Sequence, residues 1–382
     1  MHNSASLQGL CTKELFPFQD IFTLRIALRA PNWMGDAILS RVIIRYLRRH
    51  LPQARLDVWS RPSVRPLFDD LRADDAGVQW FSLPNGGGLG PMRRVWRTLR
   101  QTPPQAVLLL APSLRAALEF RGAGVPIRIG FPDDHRRLLL THPQERRGTR
   151  HPRSRVPFRR HIVEEWLDLA DALIHLLGAS PLKPARSVQR IGAFPAAKKR
   201  REDALRFRIA LGGSPHRPSL AVFPFTRGGP PRSWPLVRFA HVIRLLLQKT
   251  KTDITVFATP NDGNAIEPLR REFQNRITFF AGRSALSLKD LIRIAPAFDA
   301  ALTNDSGPMH LMSALSIPHV ALFGATLPAL TGPYWGHARI LHDAPPDCAG
   351  CYTRSCPLQT QCLTNISPEL VFETLLTLLD HA

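Results

Sequence analysis

The feature that most constrains the fold is a regular alternation of short apolar runs with stretches of helical periodicity. In the first half of the chain, apolar runs at residues 24–30, 56–59 and 106–110 have the length and composition of buried strands. Helical periodicity follows at residues 38–47 and 113–120. Strands that alternate with helices predict a parallel sheet whose two faces are both covered by helices.

The same alternation begins again in the second half of the chain. A helical pattern at residues 162–177 closes the first half. The later strands are predicted at residues 220–224, 254–258, 277–281, 300–303 and 319–323, and the later helices at 236–247, 288–294, 308–315 and 368–379. Two α/β units in succession predict two Rossmann-like domains, with a ligand in the cleft at the carboxyl ends of the strands.

The predicted organisation has four parts, and a length of 382 residues agrees with two domains. Residues 1–23 are expected to be a disordered extension, and residues 24–180 the first domain. Residues 181–218 are expected to be a linker, because a stretch rich in proline and basic residues begins there. Residues 219–382 form the predicted second domain.

The charge balance points to an anionic partner or surface. The sequence has 51 Lys and Arg residues against 30 Asp and Glu residues, a formal net charge of +21. Nucleic acid, a phosphorylated glycolipid and an acidic membrane leaflet all fit this charge, and so does a purely solubilising role. No apolar run approaches the roughly 18 residues that span a bilayer, and the N-terminal residues lack the apolar core of a secretory signal. We therefore expect a cytoplasmic protein.

Several rival functions find no support in the motifs. No phosphate-binding loop of the G-x-x-x-x-G-K-[ST] type is present, and the glycine-rich residues 86–90 are interpreted as a flexible turn. The arginines concentrate at residues 144–161, a segment with almost no apolar residues that is predicted to be a solvated loop. Because no nucleic-acid-binding signature accompanies them, no nucleic-acid partner is expected.

A loop at residues 30–36 (A-P-N-W-M-G-D) leaves the first strand and enters the first helix, where doubly wound domains keep reactive groups. Asp36 lies near the helix N-terminus, which favours an ionised carboxylate. From this position alone, a helix cap is the commoner role, and a catalytic role is the alternative.

Two further strand ends in the second half carry groups suited to phosphate. Residues 303–310 (T-N-D-S-G-P-M-H) run from a strand into a helix and offer open backbone amides to a diphosphate. Within them, His310 is as a rule a packed histidine, with phosphate binding as the alternative. Residues 223–235 contain Thr226 and Arg232 in a glycine-bearing loop that can hold phosphate, or that is a plain surface turn.

Together these three segments resemble the ADP-heptose:lipopolysaccharide heptosyltransferases of glycosyltransferase family 9, most closely the heptosyltransferase II branch. Residues 30–36 are similar to the family motif G-P-S-W-V-G-D, and residues 303–310 to T-N-D-S-G-L-M-H. The resemblance covers nearly the whole chain from Leu24 onward and implies a GT-B fold. It also implies that the acceptor binds the first domain and that ADP-heptose binds the second.

The resemblance assigns roles to individual residues. Asp36 matches the family's catalytic base, and Arg232 stands where the family has a phosphate-binding lysine. Arginine keeps the charge but spreads it over a larger planar fork. The remaining residues implied for the donor are Thr226, Asp305, Ser306, Gly307 and His310, and those for the acceptor are Ser113 and Arg115. Arg155 and Arg159 are acceptor candidates for a different reason: an exposed cationic loop in the acceptor domain can meet the phosphates and carboxylates of the acceptor, with a disordered, solubilising insertion as the alternative.

The implied reaction is an inverting transfer of heptose to the lipopolysaccharide inner core, without a covalent intermediate. The acceptor would be Kdo-lipid A or heptosyl-Kdo-lipid A, with the protein cytoplasmic or peripheral on the inner face of the inner membrane. No Asp-x-Asp pair is present, so no cofactor is required for catalysis, although a loosely held Mg²⁺ stays open. Another nucleotide sugar or acceptor is the alternative within the family, and a basic nucleic-acid-binding protein is the more distant one.

Four cysteines lie close together near the C-terminus: Cys348, Cys351, Cys356 and Cys362. The first pair has the spacing of a zinc knuckle, so the four thiols could complete a tetrahedral zinc site. The spacing is shorter than in a usual four-cysteine ribbon, so reduced thiols are an almost equal alternative, and an iron–sulfur cluster is a weaker one. Any zinc here would be structural, because four thiolates leave no open position.

Overall fold

The computed structural model describes residues 24–149, 159–179, 193–194, 198–210, 212–344, 348, 350–353 and 355–380. The predicted extension at residues 1–23 lies outside the described residues, and so do residues 181–192, 195–197 and 211 of the predicted linker. Arg155 also lies outside them.

The first domain is built on a parallel sheet with the strand order β3-β2-β1-β4-β5-β6. Its strands are β1 (Arg25–Arg29), β2 (Arg55–Ser60), β3 (Val78–Ser82), β4 (Ala106–Leu109), β5 (Ile127–Gly130) and β6 (His142–Pro143). Its helices are α1 (Met34–His50), α2 (Asp69–Asp74), α3 (Leu89–Gln101), α4 (Leu114–Arg121) and α5 (Ile162–Leu176). Apolar side chains of α1 and α5 cover one face of the sheet, and those of α3 and α4 cover the other.

The second domain repeats this plan with the strand order β12-β11-β10-β7-β8-β9. Its strands are β7 (Ser219–Phe223), β8 (Asp253–Phe257), β9 (Thr278–Phe280), β10 (Ala300–Asn304), β11 (His319–Phe323) and β12 (Ala338–His342). Its helices are α6 (Lys198–Ala210), α7 (Leu236–Lys249), α8 (Glu267–Phe273), α9 (Leu288–Ile294), α10 (Gly307–Ala314), α11 (Pro328–Thr331), α12 (Gln361–Thr364) and α13 (Pro368–Leu379). In both sheets the central strands are almost wholly buried, as expected when helices cover both faces.

The two domains meet where α1 packs against α10, and one apolar cluster continues from the first domain into the second across this contact. A glycine on each helix allows the close approach. A Cβ atom on Gly35 would lie 2.5 Å from His310 Cδ2, and one on Gly307 would lie 3.0 Å from Met34 Cβ. The N-terminal turns of α1 and α10 are therefore neighbours, and the loops that precede them face one another.

The structure corrects several sequence-based expectations. The glycine-rich residues 86–90 do not form only a flexible turn, because α3 begins at Leu89 within them. Part of the predicted linker is helical, since α6 lies inside residues 181–218 and packs against α9. Strands β3, β5, β6 and β12 were not predicted, and neither were helices α2, α3, α6, α8, α11 and α12. Most of these elements are short or carry few apolar residues, so their periodicity is weak.

The arginine-rich residues 144–161 are not a wholly solvated loop, contrary to the prediction. The Arg146 side chain is buried between the carboxylates of Glu165 and Asp133. Its guanidinium carbon also lies 3.9 Å from the centre of the Phe131 ring. Glu165 is an acid on the buried face of α5, so Arg146 neutralises a charge that would otherwise be costly to bury.

Candidate active site

Asp36 lies in the first turn of α1, which a short loop joins to the end of β1. The loop before it is held by Arg29, whose guanidinium donates to the carbonyl of Ala30 at 2.5 Å and to Asn32 Oδ1 at 3.2 Å. No side chain caps α1 at Trp33. Within the described residues the Asp36 carboxylate accepts no hydrogen bond, so its oxygens remain available to a ligand. The helix-cap role is therefore not the one that this structure favours.

The surroundings of Asp36 tune it toward proton transfer. Burial raises the pKa of its carboxyl from 3.8 to about 6, with Arg232 lowering it and Asp305 raising it further. Both of these neighbours belong to the second domain, whereas Asp36 belongs to the first. A carboxylate with a pKa near 6 is ionised at neutral pH and still basic enough to take a proton, as a general base requires.

Asp305 follows β10 and is buried next to Arg232. Its Oδ2 atom accepts a hydrogen bond from the Thr326 hydroxyl at 2.8 Å and lies 3.6 Å from Arg232 Nη1. Burial raises the pKa of Asp305, while Arg232 and Thr326 act in the opposite direction. Asp305 therefore lies at ion-pair distance from the arginine without a hydrogen bond to it, and Thr326 orients the carboxylate.

The loop that carries Thr226 and Arg232 is joined to the end of β10 by side-chain hydrogen bonds. Asn304 Oδ1 accepts from the backbone N–H of Trp234 at 2.9 Å, and Asn304 Nδ2 donates to the carbonyl of Pro224 at 2.8 Å. The Thr226 hydroxyl donates to the Asp305 carbonyl at 3.2 Å. These bonds bring two of the predicted phosphate-binding segments together at one edge of the second sheet.

The N-terminus of α10 lies at the same edge of the second sheet and favours the binding of a negatively charged group. The Ser306 hydroxyl donates to the carbonyl of Asn304 at 3.1 Å and does not cap the helix. The first backbone amides of α10, at Gly307 and Met309, therefore lack intrahelical partners. Free amides at a helix N-terminus bind phosphate well, and Arg232 lies beside them.

His310 occupies the contact between the two domains. Burial lowers the pKa of its imidazole to about 3, with His161 and His319 acting in the same direction. Its Nδ1 atom is buried and makes no hydrogen bond among the described residues. Burial therefore favours the neutral imidazole in this structure, and the imidazole packs against Gly35. Its role in donor binding stays a prediction.

The predicted acceptor residues of the first domain lie at the start of α4. Ser113 Oγ accepts from the backbone N–H of Ala116 at 3.3 Å and caps this helix. Arg115 donates to Glu119 at 3.1 Å and to the carbonyl of Gly86 at 2.6 Å. The buried Glu119 also binds Arg29 at 2.9 Å, so Arg115 belongs to a network that reaches the loop before Asp36.

Within the described part of the arginine-rich segment, further arginines bind groups of the chain itself. Arg160 pairs with Asp168, while Arg159 donates to the carbonyls of Arg146 and Gly148 at 3.1 Å each. Arg159 remains exposed, and Arg155 lies outside the described residues. The acceptor role of these two arginines stays a prediction.

The four cysteines lie near one another and form no disulfide among the described residues. Burial raises the pKa of the Cys362 thiol to about 11, and the other three thiols add to this shift. Within the described part of the chain, no group of three or more His, Cys, Asp or Glu side chains has the arrangement of a metal site. A zinc site and reduced thiols both stay predictions for this cluster.

Two residues of this region were not predicted from the sequence. Thr326 follows β11, and the rule that ligands bind at the carboxyl ends of strands could have found it. Tyr352 lies between two of the cysteines, and its ring centre is 5.7 Å from the Arg232 guanidinium carbon. No periodicity or motif in the sequence points to this contact.

Comparison with known proteins agrees with this geometry. The model of glycosyltransferase family 9 (heptosyltransferase) matches residues 92–362. Lipopolysaccharide heptosyltransferase 2 of Escherichia coli is 27% identical over 325 residues, which cover 83% of this chain and 88% of that protein. Lipooligosaccharide heptosyltransferase 2 of Haemophilus influenzae is 25% identical over 328 residues, with the same shares covered.

Solved structures show the same architecture. E. coli ADP-heptose LPS heptosyltransferase II superimposes with a TM-score of 0.72 at 23% identity, covering 94% of this chain and 99% of that one. E. coli heptosyltransferase WaaC with ADP gives a TM-score of 0.64 at 14% identity, covering 93% and 100%.

The protein is thus a glycosyltransferase of the GT-B fold, with one Rossmann-like domain on each side of the cleft that holds Asp36 and Arg232. Since the family model matches more than half of its length, the chain belongs to glycosyltransferase family 9 (heptosyltransferase). Asp36 precedes the residues that the family model matches, so its role rests on the geometry of the cleft.

Proposed function

We propose that this protein transfers heptose from ADP-L-glycero-D-manno-heptose to the lipopolysaccharide inner core, with inversion at the anomeric carbon. The observation that carries the proposal is the meeting of Asp36 from one domain with Arg232 and Asp305 from the other. Relatives named lipopolysaccharide heptosyltransferase 2 support the choice of heptose and acceptor.

In this mechanism an acceptor hydroxyl oxygen attacks the anomeric carbon and the bond from that carbon to the diphosphate oxygen breaks. Asp36 accepts the hydroxyl proton, while ADP leaves with the bonding electron pair. The raised pKa of Asp36 suits this step. Since the base and the leaving group lie on opposite sides of the sugar, one displacement inverts the configuration.

The second domain supplies the stabilisation that the leaving group needs. Arg232 offers a planar fork of N–H donors, and the free amides at the start of α10 point toward the same edge. Thr226 and Ser306 add hydroxyl groups beside them. Because fixed positive charge is already present, we propose that no metal cofactor is required for transfer.

We also propose a peripheral position on the cytoplasmic face of the inner membrane, where a lipid-linked acceptor is found. No helix among the described residues is long and apolar enough to cross a bilayer. Helix α3 carries four arginines and no acidic residue. Four exposed leucines lie on α3, α4 and the 3₁₀ turn Arg137–Leu139: Leu89, Leu114, Leu118 and Leu138. Basic and apolar groups together suit an anionic lipid surface.

A donor and acceptor screen tests the proposal. Release of ADP or UDP is measured with ADP-heptose and with other ADP- and UDP-sugars, each offered with Kdo-lipid A and with heptosyl-Kdo-lipid A. The expected result is turnover with ADP-heptose alone, with heptosyl-Kdo-lipid A as the better acceptor. Faster turnover with a UDP-sugar would replace the proposed donor, and a preference for Kdo-lipid A would replace the proposed acceptor.

A further inference from the structure

The segment that bears the four cysteines, described at residues 348, 350–353 and 355–362, packs against the donor side of the cleft through Gly350 and Tyr352. We name it the cysteine segment. Its Tyr352 places its ring next to the guanidinium of Arg232, 5.7 Å from the ring centre to the guanidinium carbon. This distance is within the range of a cation–π contact. A segment that the proposed reaction does not use thus touches the residue assigned to the donor diphosphate.

Backbone hydrogen bonds hold Tyr352 in this place. Its N–H donates to the carbonyl of Ala325 at 3.0 Å, and its hydroxyl accepts from the N–H of Leu327 at 3.3 Å. The N–H of Ala325 in turn donates to the carbonyl of Pro231 at 3.2 Å. The cysteine segment, the loop after β11 and the loop of Arg232 therefore form one connected layer.

The backbone of Tyr352 is in an unusual conformation, with φ at 47°. A bulky residue rarely adopts the left-handed region, and such conformations persist only where surrounding contacts enforce them. Gly350 lies in the same region at 73°, and a Cβ atom there would be 2.7 Å from Leu327 Cδ1. The backbone at Tyr352 is therefore conformationally strained, and in this conformation the aromatic ring lies next to Arg232.

Arg232 has little else to fix its position. Among the described residues its guanidinium makes no hydrogen bond, and its nearest carboxylate oxygen, on Asp305, is 3.6 Å away. Its side chain is 34% exposed. A Cβ atom on Gly228 would lie 2.2 Å from Arg232 Cδ, so the glycine makes room for the arginine without directing it. The N–H groups of the Arg232 guanidinium therefore stay free for a ligand, while the ring of Tyr352 packs against the guanidinium.

We propose that Tyr352 is a positioning residue for Arg232, and that the cysteine segment forms one wall of the donor diphosphate pocket. This inference rests on the proposed function, because it takes Arg232 to bind the diphosphate of the donor. It gives the cysteine segment a role in donor binding that does not depend on whether its thiols hold a metal.

Three substitutions of Tyr352 separate positioning from packing. Tyr352→Asn removes the ring but keeps a residue that tolerates the left-handed backbone. Tyr352→Leu keeps an apolar side chain of moderate size without a π face, and Tyr352→Phe keeps the ring. For the Asn and Leu variants we expect the KM for ADP-heptose and the Kd for ADP to rise by about threefold to tenfold, the size of one cation–π contact. The acceptor KM should not change. Tyr352→Phe keeps the ring but loses the hydroxyl to which Leu327 donates, so it should weaken ADP binding by less than the Asn and Leu variants do.

A double-mutant cycle with Arg232→Ala gives the decisive result, with ADP binding measured by titration calorimetry and folding checked by circular dichroism. If Tyr352 acts through Arg232, the Tyr352→Leu change has no further effect on ADP affinity once the arginine is gone. Additive losses would overturn the positioning role, and so would unchanged ADP affinity in the folded Leu and Asn variants. If Arg232→Ala itself leaves ADP affinity intact, the assignment of Arg232 fails, which is a failure of the proposed function.

Discussion

Replacing the proposed base by its neutral isostere, Asp36→Asn, should make the protein more stable and almost inactive at the same time. Folding raises the pKa of Asp36 from 3.8 to about 6, because the ionised carboxylate is buried between the domains. At neutral pH this shift corresponds to at most about 3 kcal/mol of destabilisation. The side chain is only half-buried by surface area, so solvent screening reduces the value, and a gain of about 1–2 kcal/mol is expected for the Asn variant.

The sign of the pH dependence follows from the direction of the shift. Below pH 3.8 the carboxyl is protonated in both the folded and the unfolded chain, so the unmodified protein and the Asp36→Asn variant should differ little in stability. Between pH 3.8 and about 6 the Asp36 carboxyl loses its proton in the unfolded chain but keeps it in the folded protein. The variant has no such group, so its stability advantage over the unmodified protein grows across this range. Above pH 6 the advantage is complete. Catalysis follows the same ionisation, so kcat/KM of the unmodified enzyme should fall about tenfold per pH unit below pH 6.

Chemical denaturation at about pH 4 and about pH 7.5 measures the stability difference, and ADP release with saturating acceptor measures turnover. We expect kcat to fall by at least about 100-fold in the variant, while ADP binding stays intact. A variant that retains activity would refute the assignment of Asp36 as the base. A variant that is inactive but equally stable at both pH values would refute the reasoning about burial.

Three further outcomes are expected. Gly35→Ala should push α1 and α10 apart, because the added Cβ would lie 2.5 Å from His310. We expect a lower kcat/KM and a loss of about 1–3 kcal/mol in the free energy of unfolding, measured by thermal unfolding. The matched change Gly87→Ala, which meets no atom within 4 Å, should leave both unaltered. Replacing Arg155, Arg159 and Arg160 by Ser should raise the acceptor KM at physiological salt, and an unchanged value would favour a solubilising role. Elemental analysis of untagged protein should find close to one zinc per chain if the cysteines bind it, whereas less than about a tenth of an equivalent with four titratable thiols would remove that prediction.

Much of the fold could be predicted because its central elements follow simple rules. Strands β1, β4, β7 and β10 are buried on both faces and so appear as continuous apolar runs, and α1 shows clear helical periodicity. Helix α3 was missed since only Val95 and Leu99 are buried in it, while arginines occupy much of the rest. Arg146 was misjudged for a related reason. The prediction for Arg146 used the composition of its sequence neighbours, whereas its partner Glu165 lies 19 residues later on α5.

The site residues likewise fall into those that the sequence predicts and those that it does not. Asp36, Thr226, Arg232 and Asp305 stand at strand ends, where the topology of a doubly wound domain places ligand-binding groups whatever the details of packing. Tyr352 has no such position and is brought to Arg232 by a bent segment after the last strand. Contacts of this kind depend on tertiary hydrogen bonds, which leave no pattern in a single sequence.

The division of the reaction between two domains has a structural consequence. The proposed base belongs to α1 and the groups proposed to hold the leaving diphosphate belong to the second domain, so their separation depends on the contact between α1 and α10. That contact is made at Gly35 and Gly307, where the backbone of each helix lies directly against a side chain of the other. Because protein interiors are close-packed, a larger residue at either glycine would push the two helices apart and change the distance between the two domains at this point. Gly35 therefore helps to set where the carboxylate of the proposed base lies relative to the second domain, which is why we expect Gly35→Ala to lower kcat/KM although the carboxylate itself is kept.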